Sequence, residues 1–98
     1  MGNAFKDLGD LFAAVESFKK AIFLKPDFPV FHNNLGNVLK NIGKLDESLE
    51  SYHNSLKINP DFSDTHNNIG IALYEQGKFE ESIKSYKRAI SIEPNYAE

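Results

Sequence analysis

Cysteine and tryptophan are absent from this chain, and methionine occurs once. Without cysteine there is no disulfide framework, no thiolate nucleophile and no thiolate metal site. The histidines do not replace them, because neither His32 nor His66 has another histidine or cysteine three or four residues away. No P-loop, dinucleotide fingerprint, nucleophile elbow or zinc-protease motif occurs. We therefore expect no metal, no cofactor and no catalytic residue.

The chain also lacks a strong charge imbalance and a long apolar run. It carries 11 basic and 14 acidic residues, a net charge of −3, which gives no electrostatic reason to expect nucleic acid or an anionic membrane as a partner. No apolar run approaches the length of a membrane span, and from the first residues we expect no signal peptide. A cytoplasmic location is therefore the default expectation.

What the chain does have is an internal repeat of 34 residues. The segment 29–62 aligns without gaps to 63–96, with thirteen identical positions. The segment 1–28 aligns to the later part of the same unit. A fixed period of this length is the signature of a repeat architecture, in which each unit packs only on its neighbours. We predict a single array over 1–98, with a partial repeat 1–28 and whole repeats 29–62 and 63–96.

Each unit contains two helical patterns separated by a glycine and closed by a proline. The turn glycines are Gly9, Gly43 and Gly77, and the closing prolines are Pro26, Pro60 and Pro94. Glycine suits the left-handed conformation after a helix, and proline cannot continue a helix. The spacing of apolar residues predicts six helices, near 2–8, 11–25, 30–42, 46–58, 64–76 and 80–92.

Small residues recur at the same places in each unit. Gly2, Gly36 and Gly70 share one position in the first helix. Glycine inside a helix costs about 1 kcal/mol relative to alanine. Its recurrence predicts a close helix–helix approach that a larger side chain would block.

This combination resembles the tetratricopeptide repeat family over essentially the whole chain. The 34-residue helix–turn–helix period, the small residue of the first helix, the turn glycine, the terminal proline and the series Ser82, Tyr86, Ala89 all match. The large aromatic common early in the first helix is replaced by His32 and His66. The segments HNNLGNVLK and THNNIGIALYEQG look most like the arrays of O-GlcNAc transferases and related bacterial proteins.

The resemblance implies an all-α, right-handed α–α superhelix whose first helices line a concave groove. It also implies binding of an extended peptide or a partner protein, without catalysis by the repeats. Two alternatives remain open: a substrate-selecting repeat segment of a larger enzyme such as a glycosyltransferase, and a self-assembling scaffold.

Asparagines crowd the first helices, although asparagine is a poor helix former. Asn34 and Asn68 occupy the same position in successive units, where O-GlcNAc transferase-like arrays carry an asparagine ladder. An amide offers an acceptor and two donors, which suits a peptide backbone of any sequence. The candidate peptide-binding residues are Asn33, Asn34, Asn37, Asn67, Asn68, Lys40 and Tyr74. The alternative is that these amides bond across neighbouring helices or to water.

A clamp for an acidic C-terminal tail, which some arrays of the family form, is not expected here. Such clamps pair lysines and an arginine with carboxylates. If the second unit begins the site, Asn33 stands where a lysine is required; if the first unit does, Asp64 and Asn68 replace the cations.

The two ends of the array are expected to expose apolar surface. Terminal units normally carry a polar outer face, whereas the last helix pair here leaves Leu73, Tyr86 and Ile90 without a following unit to cover them. The sequence therefore predicts either that the chain is a fragment of a longer array, or that copies stack or exchange elements end to end.

Overall fold

The structure, a computed structural model, describes the backbone of residues 4–94 and the side chains of residues 9–94. This part of the chain contains five helices and no strand. They are α1 (Ala4–Leu24), α2 (Pro29–Ile42), α3 (Leu45–Ile58), α4 (Ser63–Glu75) and α5 (Phe79–Ile92). The predicted all-α solenoid is confirmed. Within the same residues, no helix combines the length and the apolar character needed to cross a bilayer.

The turns of the second and third units form as predicted, at Gly43 and Gly77. Gly43 has a φ of 100° and Gly77 a φ of 81°, both in the left-handed region. After α2, the Lys44 N–H donates to the Leu39 carbonyl at 2.9 Å, and after α4 the equivalent bond is also 2.9 Å. These bonds satisfy carbonyls that the helix end leaves without partners. The turn reverses the chain so that the second helix of each unit packs on the first.

The predicted turn at Gly9 is wrong, because α1 runs without interruption from Ala4 to Leu24. Two predicted helices are thus one helix, and Gly9 lies inside it; the predicted start at residue 2 falls outside the described residues. Glycine populates helical as well as left-handed backbone angles, so Gly9 permits a turn without requiring one.

Opposite effects are expected from alanine at Gly9 and at Gly43. Gly9→Ala is expected to raise the free energy of unfolding by about 0.5–1 kcal/mol, because alanine is the better residue inside a helix. No atom outside the helix backbone lies within 4 Å of the added Cβ. Gly43→Ala is expected to lower it by about 1–2 kcal/mol, because alanine is strained at positive φ. Urea denaturation of the two variants measures both effects, and stabilisation by Gly43→Ala would contradict this account.

The apolar core is divided between neighbouring helix pairs. One cluster joins α1 to α2 through Val15, Leu35 and Leu39. The other joins α3 to α4 through Tyr52, Ile69, Ala72 and Leu73. Stability therefore comes from contacts between successive helices, as expected of a solenoid.

The small residues predicted to permit a close approach do so in both whole units. Ser48 Oγ donates to the Gly36 carbonyl at 2.7 Å, and Ser82 Oγ donates to the Gly70 carbonyl at 2.7 Å. A Cβ added to Gly36 would lie 2.5 Å from Tyr52 Cε1. The glycine thus makes room for the tyrosine that closes the unit.

Candidate functional site

One stripe of the two complete first helices stays open to solvent. We call it the first-helix face. Its members recur at helical spacing, and none of them is buried. They are Val30, Asn34, Asn37 and Asn41 on α2, with Asp64, Asn68, Ile71 and Glu75 on α4. Four of the eight side chains therefore end in an amide.

Asn33 points away from this face and joins the two units. Its side chain is 5% exposed. Its Oδ1 accepts from Thr65 Oγ1 at 2.9 Å and from Asn68 Nδ2 at 3.0 Å. Thr65 is fully buried and also lies 3.0 Å from Ser55 Oγ. Asn33 therefore fits the alternative to peptide binding, in which the amide bonds across neighbouring helices.

Asn37 belongs to the first-helix face but also supports the core. Its Oδ1 accepts a hydrogen bond from the hydroxyl of Tyr52, which is fully buried. Burial raises the pKa of Tyr52 above its ordinary value, and a hydrogen bond with Ser48 opposes part of that shift. The neutral phenol is therefore favoured in the folded chain. The phenol hydroxyl holds the Asn37 side chain by its oxygen, and among residues 9–94 the Asn37 nitrogen has no hydrogen-bond acceptor.

Lys40 also faces the next unit. Its Nζ lies 3.8 Å from a carboxylate oxygen of Glu75 on α4. By the repeat, Asn67 and Tyr74 hold on α4 the positions that Asn33 and Lys40 hold on α2. Tyr74 is 60% exposed and packs edge-on against Phe79 at 5.0 Å between ring centroids. These two residues thus lie on the side of α4 that turns away from α2.

Three amides of the first-helix face have hydrogen-bonding atoms without a partner among residues 9–94. Among residues 9–94, Asn34 makes no side-chain hydrogen bond. Asn68 uses its nitrogen on Asn33 and keeps its oxygen. Asn37 uses its oxygen and keeps its nitrogen. Both donors and acceptors are therefore available, which is what the alternating N–H and C=O groups of an extended peptide require.

A second depression, which sequence reasoning missed, lies between α3 and α5. It has a volume of about 630 Å³, and its lining includes Leu49, Ile69 and Leu73. Lys78, in the turn before α5, and Lys84, on α5, also line it. The equivalent space between α1 and α3 measures about 110 Å³. The size of the depression between α3 and α5 depends on the distance between these helices, which no pattern of residues in the sequence predicts.

The described side chains do not assemble a metal-binding cluster. Within residues 9–94, no three histidine, aspartate or glutamate side chains lie close enough to hold a metal ion. His66 Nε2 lies 2.8 Å from the Pro60 carbonyl, so its ring is engaged with the loop before α4.

Comparisons with known proteins agree with the geometry. A family model described as "Tetratricopeptide repeat" matches residues 63–96, and a second, "TPR repeat", matches 2–43 and 36–77. Comparison with curated proteins finds no match.

Solved structures share this fold. The crystal structure of MamA aligns with a TM-score of 0.82 and 28% identity, over 90% of this chain and 52% of MamA. YrrB, a TPR protein with an unusual peptide-binding site, aligns with a TM-score of 0.83 and 23% identity, over 93% of this chain and 47% of YrrB. The first TPR of Spaghetti (RPAP3), bound to the HSP90 peptide SRMEEVD, aligns with a TM-score of 0.84 and 22% identity, over 95% of this chain and 74% of that protein. The chain thus spans about half of MamA, and the latter two likenesses concern the fold alone.

Proposed function

Because this chain belongs to the tetratricopeptide repeat family, whose domains are in general non-catalytic modules for protein–protein interaction, we propose that its first-helix face binds an extended peptide segment of a partner protein. The observation that carries the proposal is the set of unused amide atoms on Asn34, Asn37 and Asn68. Solved structures of the same fold include one bound to a peptide and one with a peptide-binding site, which supports the class of ligand.

The amides would bind the backbone of the ligand. The side chains beside them would select its sequence. The oxygens of Asn34 and Asn68 accept from peptide N–H groups, and the nitrogens of Asn34 and Asn37 donate to peptide carbonyls. Ile71 offers an apolar contact beside Asn68. Such a face prefers an extended chain whose own hydrogen bonds are unmade, because only that chain presents its backbone to side chains along its length.

Among the candidates, Asn33 is left out of the proposed contact surface because it is buried and occupied. Lys40 is placed at its edge, since its charge is already opposed by Glu75. Asn67 and Tyr74 enter only if the ligand extends past α4.

The test is binding of the chain to an array of synthetic peptides of random sequence. The double variant Asn34→Ala, Asn68→Ala is expected to lose most of the signal of the best peptides, by about tenfold or more in Kd, because each lost hydrogen bond contributes about 0.5–1.5 kcal/mol. Asn54→Ala, which removes an amide from α3, is the matched control and is expected to bind like the wild type. Equal binding by all three proteins, each folded by circular dichroism, would contradict the proposal.

A further inference from the structure

Four exposed side chains form a stripe along the outer side of α1. They follow one another at intervals of four, three and four residues, which keeps them on one face of a helix. They are Phe12, Glu16, Lys19 and Phe23, and we call this surface the α1 outer stripe. Phe12 is 49% exposed and Phe23 85%. The same spacing marks the positions through which paired helices contact each other in coiled coils.

The exposure of this stripe belongs to its position in the repeat. One repeat later, α3 carries polar residues at the same four positions, and all of them are exposed. They are Asp46, Glu50, His53 and Lys57. This holds although α3 packs on α2 on one side and on α4 on the other. A neighbouring unit thus does not cover these positions.

The two phenylalanines of the stripe depart from the repeat. Both later units place a polar residue at each of the two positions. These residues are Asp46 and Glu80 at the position of Phe12, and Lys57 and Ser91 at the position of Phe23. An aromatic ring left in water gives up the favourable free energy of burial. Two such rings at solvent positions of one helix therefore indicate contact with another surface.

We propose that two copies of this chain pair through the α1 outer stripe, with their α1 helices antiparallel. A two-fold axis midway between Glu16 and Lys19 also lies midway between Phe12 and Phe23. Phe12 of each copy then faces Phe23 of the other, and Glu16 of each faces Lys19 of the other. The stripe is self-complementary in apolar contact and in charge, as a two-fold interface requires. A parallel pair would instead place each charge opposite its own copy, which is unfavourable.

The surface beside Phe23 has room for a ring of the other copy. A hollow of about 330 Å³ lies there, and it is lined by Glu16, Lys19, Lys20, Phe23 and Leu24. The hydrocarbon chains of the lysines can cover a ring while their charged ends stay in water. The contact extends only about 17 Å along α1, so we expect a weak and reversible dimer. It is independent of peptide binding, because the stripe shares no residue with the first-helix face.

Sedimentation equilibrium of the full 98-residue chain, from micromolar to millimolar concentration, tests the association. The average mass is expected to rise and to approach twice the mass of one chain, because a two-fold contact closes at two copies. Phe23→Lys is expected to raise the Kd of the dimer by more than about tenfold, because it places a charge in an apolar contact. It introduces the residue type that α3 carries at this position, so the helix is expected to form as in the wild type.

Tyr74→Lys is the control for a general effect of removing an exposed aromatic ring. Tyr74 is 60% exposed and lies outside the α1 outer stripe, so this variant is expected to associate like the wild type. A wild type that stays monomeric, a mass that passes that of two copies, or equal effects of the two variants would overturn the proposal.

Reversing single charges tests the antiparallel pairing. Glu16→Lys places lysine opposite Lys19, and Lys19→Glu places glutamate opposite Glu16. Each variant alone is expected to raise the Kd by about tenfold, because by symmetry it creates two contacts between like charges. An equimolar mixture of the two is expected to recover the affinity of the wild type, since every contact then joins opposite charges.

Glu50→Lys makes the same change at the equivalent position of α3 and is expected to leave the Kd unchanged. Circular dichroism of each variant checks that its helices are intact. Single variants that dimerise as tightly as the wild type, or a mixture no tighter than either variant alone, would overturn the antiparallel pairing.

Discussion

Replacing Tyr52 with alanine is expected to lower the free energy of unfolding by about 3–5 kcal/mol. Tyr52 is completely buried, packs between α3 and α4 and donates a hydrogen bond to Asn37. Its loss leaves a cavity where the second and third units meet. Small domains are stable by only about 5–15 kcal/mol, so the change removes a large share of the total. Urea denaturation followed by circular dichroism measures it.

Tyr86 provides the matched control, since it holds the same position in the third unit and is only partly buried. Tyr86→Ala is expected to cost clearly less than Tyr52→Ala. Tyr52→Phe, which keeps the ring, is expected to cost only the hydrogen bond, about 0.5–1.5 kcal/mol. Equal losses for the two alanine variants would show that the contact between units contributes little.

The second large effect is expected at Thr65, the centre of the polar contact between units. Thr65→Val preserves shape but removes the hydroxyl that lies 2.9 Å from Asn33 Oδ1 and 3.0 Å from Ser55 Oγ. Ser55 is itself fully buried. A buried polar group left without a partner costs about 1–3 kcal/mol, and a destabilisation of that size is expected.

Thr65→Ser distinguishes the contribution of the hydroxyl to stability from that of the methyl group. Serine retains the hydrogen-bonding oxygen and loses a buried methyl, so it is expected to be more stable than Thr65→Val. Thermal denaturation of both variants under the same conditions gives the order. If the valine variant is the more stable, the hydroxyl does not contribute to joining the units.

The sequence predicts the regular helices well because their signals are local and repeated. Helices predicted at 30–42, 46–58, 64–76 and 80–92 lie within one residue of α2 to α5 at each end. The agreement follows from the turn glycines and closing prolines, because each constrains the backbone at its own position. Gly9 has the same local signal and forms no turn. A turn glycine permits a reversal of the chain, and whether the reversal forms depends on packing that the local signal does not report.

The candidate site could be predicted as a region but not residue by residue. Asn33 and Asn34 are neighbours in sequence, yet about 100° around the helix separates them. One is buried between units and the other is on the open face. The choice depends on Thr65, which stands where the second unit has Phe31 and which brings a hydroxyl to Asn33. A pattern of amides in one helix does not report what the adjacent helix presents.

The exposure that the sequence predicts for the last helix pair differs among its three residues. Ile90 is 41% exposed and Tyr86 is partly buried. The prediction for Leu73 is wrong, because its side chain is buried in the cluster that joins α3 to α4. The repeat places Leu73 on its helix but does not report that α4 also packs on the preceding unit.

The most direct test of the account follows the side-chain amide signals of the asparagines by NMR while a peptide selected on the array is added. The central claim is that the amides are divided between holding units together and binding a ligand. The amide signals of Asn34 and Asn68 are expected to shift with peptide concentration, while those of Asn33 and Asn54 stay in place. Shifts confined to the backbone amide signals of residues in the depression between α3 and α5, such as Leu49 and Lys84, recorded in the same spectra, would contradict the claim and assign binding to that surface.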